Sequence, residues 1–327
     1  MREITRTDYK QFLQSHSEVQ IGETKIKLHN NWKIHNFAPS TFTPETTTVW
    51  SFPDRGDWAT HVGNYRGNWS PYIPRNLILR YTAPGDLVLD QMAGWVVTSD
   101  VTTNLRSSAF ICGLISKILH FIFKEALVEC KLLGRRAVGV DINPDAVMVA
   151  RNRLDFSYAP LDAEYKVPEI RTYTGDARSL DLIGSESVDL IATHPPYASI
   201  IPYSHDREGD LSSVHSIAEF AEEMRKVALE CFRVLKPGKH CAILMGDTRR
   251  SKHFVPITPR VLMSFLEAGF ILREDIIKLQ WKMKSTREKW FGKKYDFYLI
   301  GHEHLYVFRK QEVGEKTARF RESMKWW

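Results

Sequence analysis

Val188-Asp189-Leu190-Ile191-Ala192-Thr193-His194-Pro195-Pro196-Tyr197 is the stretch that decides the reading of this chain. Val188–Ala192 is a short apolar strand, and it runs through Thr193 into two prolines. Consecutive prolines hold the backbone extended and remove two amide donors. That leaves carbonyl oxygens able to accept hydrogen bonds at the mouth of a sheet. A tyrosine directly afterwards offers a ring on which a planar ligand can stack, worth roughly 1–3 kcal/mol for a nucleic-acid base. The plainer alternative is a Pro-Pro loop exit followed by an ordinary half-buried tyrosine.

Outward from this stretch, strands and helices alternate. Leu87-Val88-Leu89 follows a turn at Pro84-Gly85, and Ala137–Val140 runs into Asp141. His240–Met245 follows the turn Lys236-Pro237-Gly238-Lys239, and Phe297–Ile300 with Leu305–Phe308 reads as a closing antiparallel hairpin. The alternation predicts an α/β fold, a Rossmann-like, doubly wound and mostly parallel sheet with an antiparallel C-terminal hairpin. Ligands in such sheets sit at the carboxyl ends of the strands, so the residues just after each strand matter most. Residues 1–60 read as an N-terminal extension, 61–310 as the folded domain and 311–327 as a charged tail.

Composition narrows the partners. The 327 residues are 43% hydrophobic, enough for one large core or two modest ones. Lys and Arg number 45 against 39 acids, a net charge of +6 that suits a polyanionic partner without specifying one. The four cysteines (Cys112, Cys130, Cys231, Cys241) form no CxxC pair and no metal-ligand spacing, so they read as reduced thiols of a cytoplasmic protein with no metal. Met1–Lys10 is no secretory signal. The apolar run Ala109–Phe123 is too short for a bilayer and carries Lys117 and His120, so no membrane association is expected.

His194-Pro195-Pro196-Tyr197 resembles the (Asp/Asn/Ser)-Pro-Pro-(Tyr/Phe) motif of DNA amino-methyltransferases, class I enzymes that methylate the exocyclic amine of adenine or cytosine. The resemblance covers roughly Val49 to Lys310. Trp69-Ser70-Pro71-Tyr72-Ile73-Pro74-Arg75-Asn76 looks like the segment lining the methionine end of the cofactor. Asp90-Gln91-Met92-Ala93-Gly94 looks like the start of the cofactor loop. Gly139-Val140-Asp141-Ile142-Asn143 is similar to the strand whose terminal acid binds the ribose hydroxyls, and Gly175-Asp176-Ala177 to the element where an acid meets the adenine. The resemblance therefore implies S-adenosyl-L-methionine bound by Pro74, Asp90, Met92, Ala93, Gly94, Asp141, Ile142, Asp176 and Ala177. Catalysis would fall to His194, Pro195, Pro196 and Tyr197. Read without it, Asp141 could cap a helix starting near Pro144, and Asp176 could be a turn residue.

Two departures stand out. His194 occupies a position that is usually Asp, Asn or Ser, which removes the usual clue separating adenine from cytosine. A neutral imidazole still accepts one hydrogen bond, in one tautomer. The second departure is Trp95–Ala126, an apparent insertion before a helix at Leu127–Leu133. Asp141 lies 47 positions beyond Gly94, against about 20 in a Rossmann-type unit. Ile111, Leu114, Ile115, Ile118, Leu119 and Ile122 recur at helical spacing within it, an apolar face suited to burial or to self-association. Trp95 and Val96 replace the second loop glycine. Two outcomes stay open: reduced cofactor affinity in a disrupted relative, or a tolerated lid.

From Lys278 to Lys294 seven basic residues face one acid, with Trp281, Trp290, Phe291 and Tyr295 interleaved. This strip, chiefly Lys282, Lys284, Arg287, Lys289, Trp290 and Lys293, suits double-stranded DNA, and Arg55, His61, Arg66 and Trp69 could extend it. The alternative is a solvated loop. Ile200–Ser216 reads as a loop closing over a flipped base. The family setting is restriction-modification. Rival readings are an RNA (tRNA guanine-amine) or protein-amine methyltransferase, and a non-catalytic DNA-binding relative.

Overall fold

The parallel centre of the sheet forms where apolar strands outnumber alternating ones. The computed structural model describes residues 1–21, 24–61, 69–93, 125–160, 165–196, 216–281 and 296–325. In chain order the elements are β1 (Arg2–Glu3), α1 (Arg6–Ser15), β2 (Glu18–Ile21), β3 (Thr24–Lys27), β4 (Val49–Trp50), α2 (Tyr72–Tyr81), β5 (Leu87–Asp90), α3 (Glu125–Leu132), β6 (Arg136–Asp141) and α4 (Pro144–Leu154). They continue with β7 (Ile170–Thr174), β8 (Val188–Thr193), α5 (Ile217–Val234), β9 (Leu235–Met245), β10 (Thr248–Arg250), β11 (His253–Val255), α6 (Thr258–Glu267), β12 (Ile271–Leu279) and β13 (His302–Arg309). A 3-10 turn, Thr317–Ser323, follows.

Nine strands form one sheet in the order β1-β7-β6-β5-β8-β9-β13-β12-β4. Strands β7, β6, β5, β8 and β9 run parallel, and β13 is antiparallel to both β9 and β12. The chain winds from β5 outward to β6 and β7, then returns to the other side of β5 with β8. The order therefore reverses between β5 and β8, the crevice in which open α/β sheets bind ligands. The structure is a Rossmann-like, doubly wound and mostly parallel α/β fold.

Each face of the sheet carries its own core. Leu89, Val140, Ile191, Ile243, Tyr306 and Phe308 point to one side, under α5 and α6. Val88, Ala137, Leu190, Ala192, Leu244, Leu305 and Val307 point to the other, under α2, α3 and Trp50, Trp58 and Trp69. The two-residue period of a strand divides them. Helix α5 explains its own packing: Phe220, Met224, Val227, Cys231 and Val234 recur at helical spacing and are all buried. Ser216 caps its start, its side chain accepting from the Glu219 amide.

The antiparallel C-terminal hairpin is present with a different first strand. Leu305–Phe308 pairs with Ile271–Leu279 rather than with Phe297–Ile300, which forms no strand. Ile271–Leu279 carries Arg273, Glu274 and Asp275, charges that masked its alternation in the sequence. Residues within 1–60 pair with both edges of the sheet, β1 with β7 and β4 with β12. The helix expected at Leu127 begins two residues earlier, at Glu125, so Glu125 and Ala126 belong to α3. Among the described residues no helix is long and apolar enough to cross a membrane.

Candidate active site

At the switch point, β5 and β8 end side by side, with Leu89 opposite Ile191. The Asp90 carboxylate is buried, and its Oδ1 accepts from Thr193 Oγ1 at 2.9 Å and from the Met92 amide at 3.3 Å. A buried carboxylate is tolerable only when such donors replace water. This contact ties the end of β5 to the strand before His194. The loop's first turn is held twice more. The Ala93 amide donates to the Val140 carbonyl at 2.9 Å, and Gln91 Nε2 donates to Cys231 Sγ on α5 at 2.8 Å. Met92 and Ala93 are buried, and Gly94 lies outside the described residues.

Asp141 ends β6 and is also buried. Its Oδ1 accepts from the Asn143 amide at 2.8 Å, closing the turn that carries Ile142. The helix cap is Asn143 instead, whose side chain accepts from the Asp145 amide, with Pro144 at the first helical position. Asp141 thus shapes the loop without capping α4. On the adjacent strand its register partner is Thr174, and Gly175 donates its amide to the Asp141 carbonyl. Thr174 Oγ1 is buried with no hydrogen-bond partner. Asp176, followed by buried Ala177, is bound by the Arg178 guanidinium at 2.9 and 3.1 Å through Nε, and Arg178 also reaches Glu223. It is also a turn residue, its Oδ1 accepting from the Arg178 amide at 2.8 Å and its carbonyl from the Ser179 amide at 3.0 Å.

His194 follows β8, and Pro195 and Pro196 beside it are buried. Its imidazole stacks against Trp69, ring centroids 6.1 Å apart and 25° from parallel. Burial pushes its pKa down to about 4; Glu303 opposes that shift, while Lys278 and Arg55 add to it. The ring is neutral at physiological pH. With so low a pKa it serves as a hydrogen-bond acceptor rather than as a strong base. Tyr197 lies outside the described residues, as do Ile200–His215 of the expected closing loop. Pro74 is buried in the first turn of α2, where the helix leaves amides without intrahelical partners and tolerates proline.

The face that carries His194 also holds ions that the sequence did not reveal as a group. Arg55 donates to Glu125 at 2.8 Å and to the Trp69 carbonyl. Glu129 Oε1 accepts from Trp58 Nε1 at 2.6 Å and is 2.8 Å from His61 Nε2, and its Oε2 accepts from Arg75 at 2.8 Å. Lys278 donates to Glu303 at 2.7 Å. Arg55, His61 and Trp69 therefore do not extend an outer nucleic-acid surface. His61 and Trp69 are buried, and Arg55 is committed to this interior network. Lys278 likewise leaves the basic strip for a buried ion pair. Lys282, Lys284, Arg287, Lys289, Trp290 and Lys293 lie outside the described residues. A signal for Glu303 existed: it is the acid on the apolar parity of Glu303, Leu305 and Val307.

Residues 188–325 match the family model described as DNA methylase, specific for N6 and N4 amines. That segment, 138 of the 327 residues, is what the chain shares with the family. It is similar to the type II beta methyltransferase M.BslI of Bacillus sp. (strain NEB-606), 26% identical over 47% of this chain and 18% of that protein. It is also similar to the type II methyltransferase M.SfiI of Streptomyces fimbriatus, 29% identical over 28% of this chain and 21% of that protein. The chain thus spans about a fifth of the curated relatives it matches. Among solved structures it is similar to TrmN from Thermus thermophilus, with 19% identity and a TM-score of 0.42 over 75% of this chain and 50% of that one. A SAM-dependent methyltransferase from Methanosarcina mazei is 14% identical with a TM-score of 0.42, over 72% of this chain and 97% of that one.

Proposed function

We propose that this methylase transfers a methyl group from S-adenosyl-L-methionine to the exocyclic amine of adenine or cytosine in double-stranded DNA. One observation carries the reading. The buried Thr193–Asp90 hydrogen bond joins the cofactor strand to the His194-Pro195-Pro196 segment at the switch point of the sheet. A donor bound there and an amine held beside it would meet in one crevice.

The donor set suits this cofactor. Asp141, at the end of the second strand of the winding, is placed for a ribose diol, and the buried hydroxyl of Thr174 beside it awaits a partner. Asp176, with its carboxylate oriented by Arg178, is placed for an exocyclic amine on the adenine. Bound here, the cofactor supplies an activated sulfonium methyl.

The chain's own contribution is positioning. A neutral ring nitrogen of His194 and the Pro195 carbonyl accept the protons of the target amine, which turns its lone pair toward the methyl. Pro195 and Pro196 fix that geometry without competing amides. Trp69 covers His194 and excludes water from the acceptor. Tyr197 stacks on the extruded base, and the strip from Lys282 to Lys293 grips the phosphates.

The segment after Gly94 is either a tolerated lid or a bar to the cofactor; beyond it α3 packs against β5 and β6. Labelled methyl transfer to duplex DNA and to tRNA, followed by nucleoside analysis, tests the proposal. N6-methyladenine or N4-methylcytosine that disappears in His194→Ala supports it. Label confined to RNA or to protein refutes it. Calorimetry with the chain as it stands, and with residues 95–124 replaced by Ser-Gly-Thr-Thr, tests the lid. Binding by the shortened chain alone would mean that the native loop blocks the cofactor.

A further inference from the structure

His194 stands where the family motif usually carries an acid, an amide or a hydroxyl, and an imidazole has a weakness in that role. Its two nitrogens differ, and only the tautomer with a lone pair facing the amine can accept. Something in the structure has to choose between them. Strand parity brings the candidate into place. His194 continues the series Leu190, Ala192, and Glu303 begins the series Leu305, Val307; all four of those apolar residues lie in the same core cluster. Lys278 continues Ile276 of that cluster on β12 and is the register partner of Glu303. His194 follows the last residue of β8, while Glu303 and Lys278 sit near the start of β13 and the end of β12. The antiparallel course of β13 puts all three at one edge of the sheet.

Glu303 is 7% exposed, and its Oε2 is fixed by Lys278 Nζ at 2.7 Å. A buried carboxylate so placed keeps its charge, because the ammonium compensates it. That charge reaches His194: it opposes the effect of burial on the imidazole. Trp69 stacks on the ring and restrains its plane.

We propose that Glu303, anchored by Lys278, is a positioning residue that sets the tautomer and orientation of His194 and so supplies the acidic function missing from the motif. The inference rests on His194 accepting the target amine, but its central claim concerns the ring itself. It accounts for a buried ion pair at the catalytic end of the sheet and for a histidine serving in place of an acid. Among the described residues the charges that act on His194 are those of Glu303 on β13, Lys278 on β12 and Arg55, itself paired with Glu125 on α3.

The test uses the full chain labelled with nitrogen-15 histidine, with His194→Asn identifying the signals of the ring. In the parent protein the two ring nitrogens of His194 should show one dominant neutral tautomer. Glu303→Gln should mix the tautomers and lower the ring's protonation midpoint, with Glu303→Asp restoring most of both. The same Gln variant should lose about tenfold or more in kcat with an unchanged KM for S-adenosyl-L-methionine. An unchanged tautomer in Glu303→Gln, with the fold intact by circular dichroism, overturns the proposal. The magnetic-resonance result stands without turnover, so a chain that methylates no DNA would sink the proposed function and leave the positioning claim to be decided by the spectrum.

Discussion

Replacing His194 by Asn, a residue the family motif itself uses, should change how stability depends on pH far more than it changes stability at neutrality. The His194 pKa is held at about 4 by burial, against 6.5 for an ordinary imidazole. The unfolded chain therefore binds a proton between those values that the folded chain refuses, and stability rises with pH across that window. At about pH 4.5 the unfolded imidazole is nearly all protonated and the folded one mostly neutral. At about 1.36 kcal/mol per pH unit, the parent should have lost roughly 2.5 kcal/mol to this group alone. His240, also held at about 4 by burial beside Arg273, adds a similar loss, but it is common to both proteins and cancels in the comparison. Urea unfolding of both proteins at about pH 7 and pH 4.5 measures the difference. The Asn variant should gain about 2–3 kcal/mol relative to the parent on acidification. Parallel profiles would refute the claim that the half-buried His194 is held neutral, and with it the acceptor role.

Four further outcomes follow from the same structure. Thr193→Val leaves the buried Asp90 carboxylate one donor short and should cost about 1–3 kcal/mol by urea unfolding, with weaker S-adenosyl-L-methionine binding by calorimetry. Glu129→Ala strands Arg75 and His61 inside the protein and should destabilise by about 3–5 kcal/mol in the same assay. Phe270→Ala opens a hole between Phe232, Phe265 and Phe308 and should cost about 3–5 kcal/mol. Lys289→Ala should weaken duplex binding at low salt and reduce the salt slope by about one, measured by fluorescence anisotropy.

The sequence made the sheet's parallel centre legible because apolar strands ending in Asp90, Asp141 and Thr193 interrupt a helical background. The period of the pattern carried that information. It failed at β12, where Arg273, Glu274 and Asp275 alternate with only partial burial on an outer strand. The closing hairpin was therefore assigned to Phe297–Ile300. It failed differently at Arg55, His61 and Trp69, where charge and aromaticity suggest an outer surface. The partners of Arg55 and His61, Glu125 and Glu129, lie some seventy positions away on α3, and Trp69 stacks on His194. A long-range ion pair leaves no local periodicity to read. The order of the cofactor-site residues was legible, but the partners that fix them were not. Thr193 on Asp90 is a tertiary fact, and so is the second partner of Arg178, Glu223 on α5.

The two faces of the sheet differ in a way that bears on the site. Under α5 and α6 the buried cluster is apolar, whereas the side under α2 and α3 also holds Arg55, Arg75, Glu125, Glu129 and His61. Stability alone does not explain the ions, since well-packed apolar replacements of buried ion pairs are often neutral or stabilising. Their placement suggests another account. Helix α3 is buried all round, with no polar face to orient it, and two of its buried residues are glutamates. Glu129 is gripped by donors from the 58–61 segment and from α2, and Glu125 is gripped by Arg55, which also holds the Trp69 carbonyl. Directional charge pairs fix the rotation of such a helix about its axis where apolar packing would leave alternatives. Because α3 begins at the far end of the cofactor loop and Trp69 covers His194, one network sets the position of both halves of the crevice.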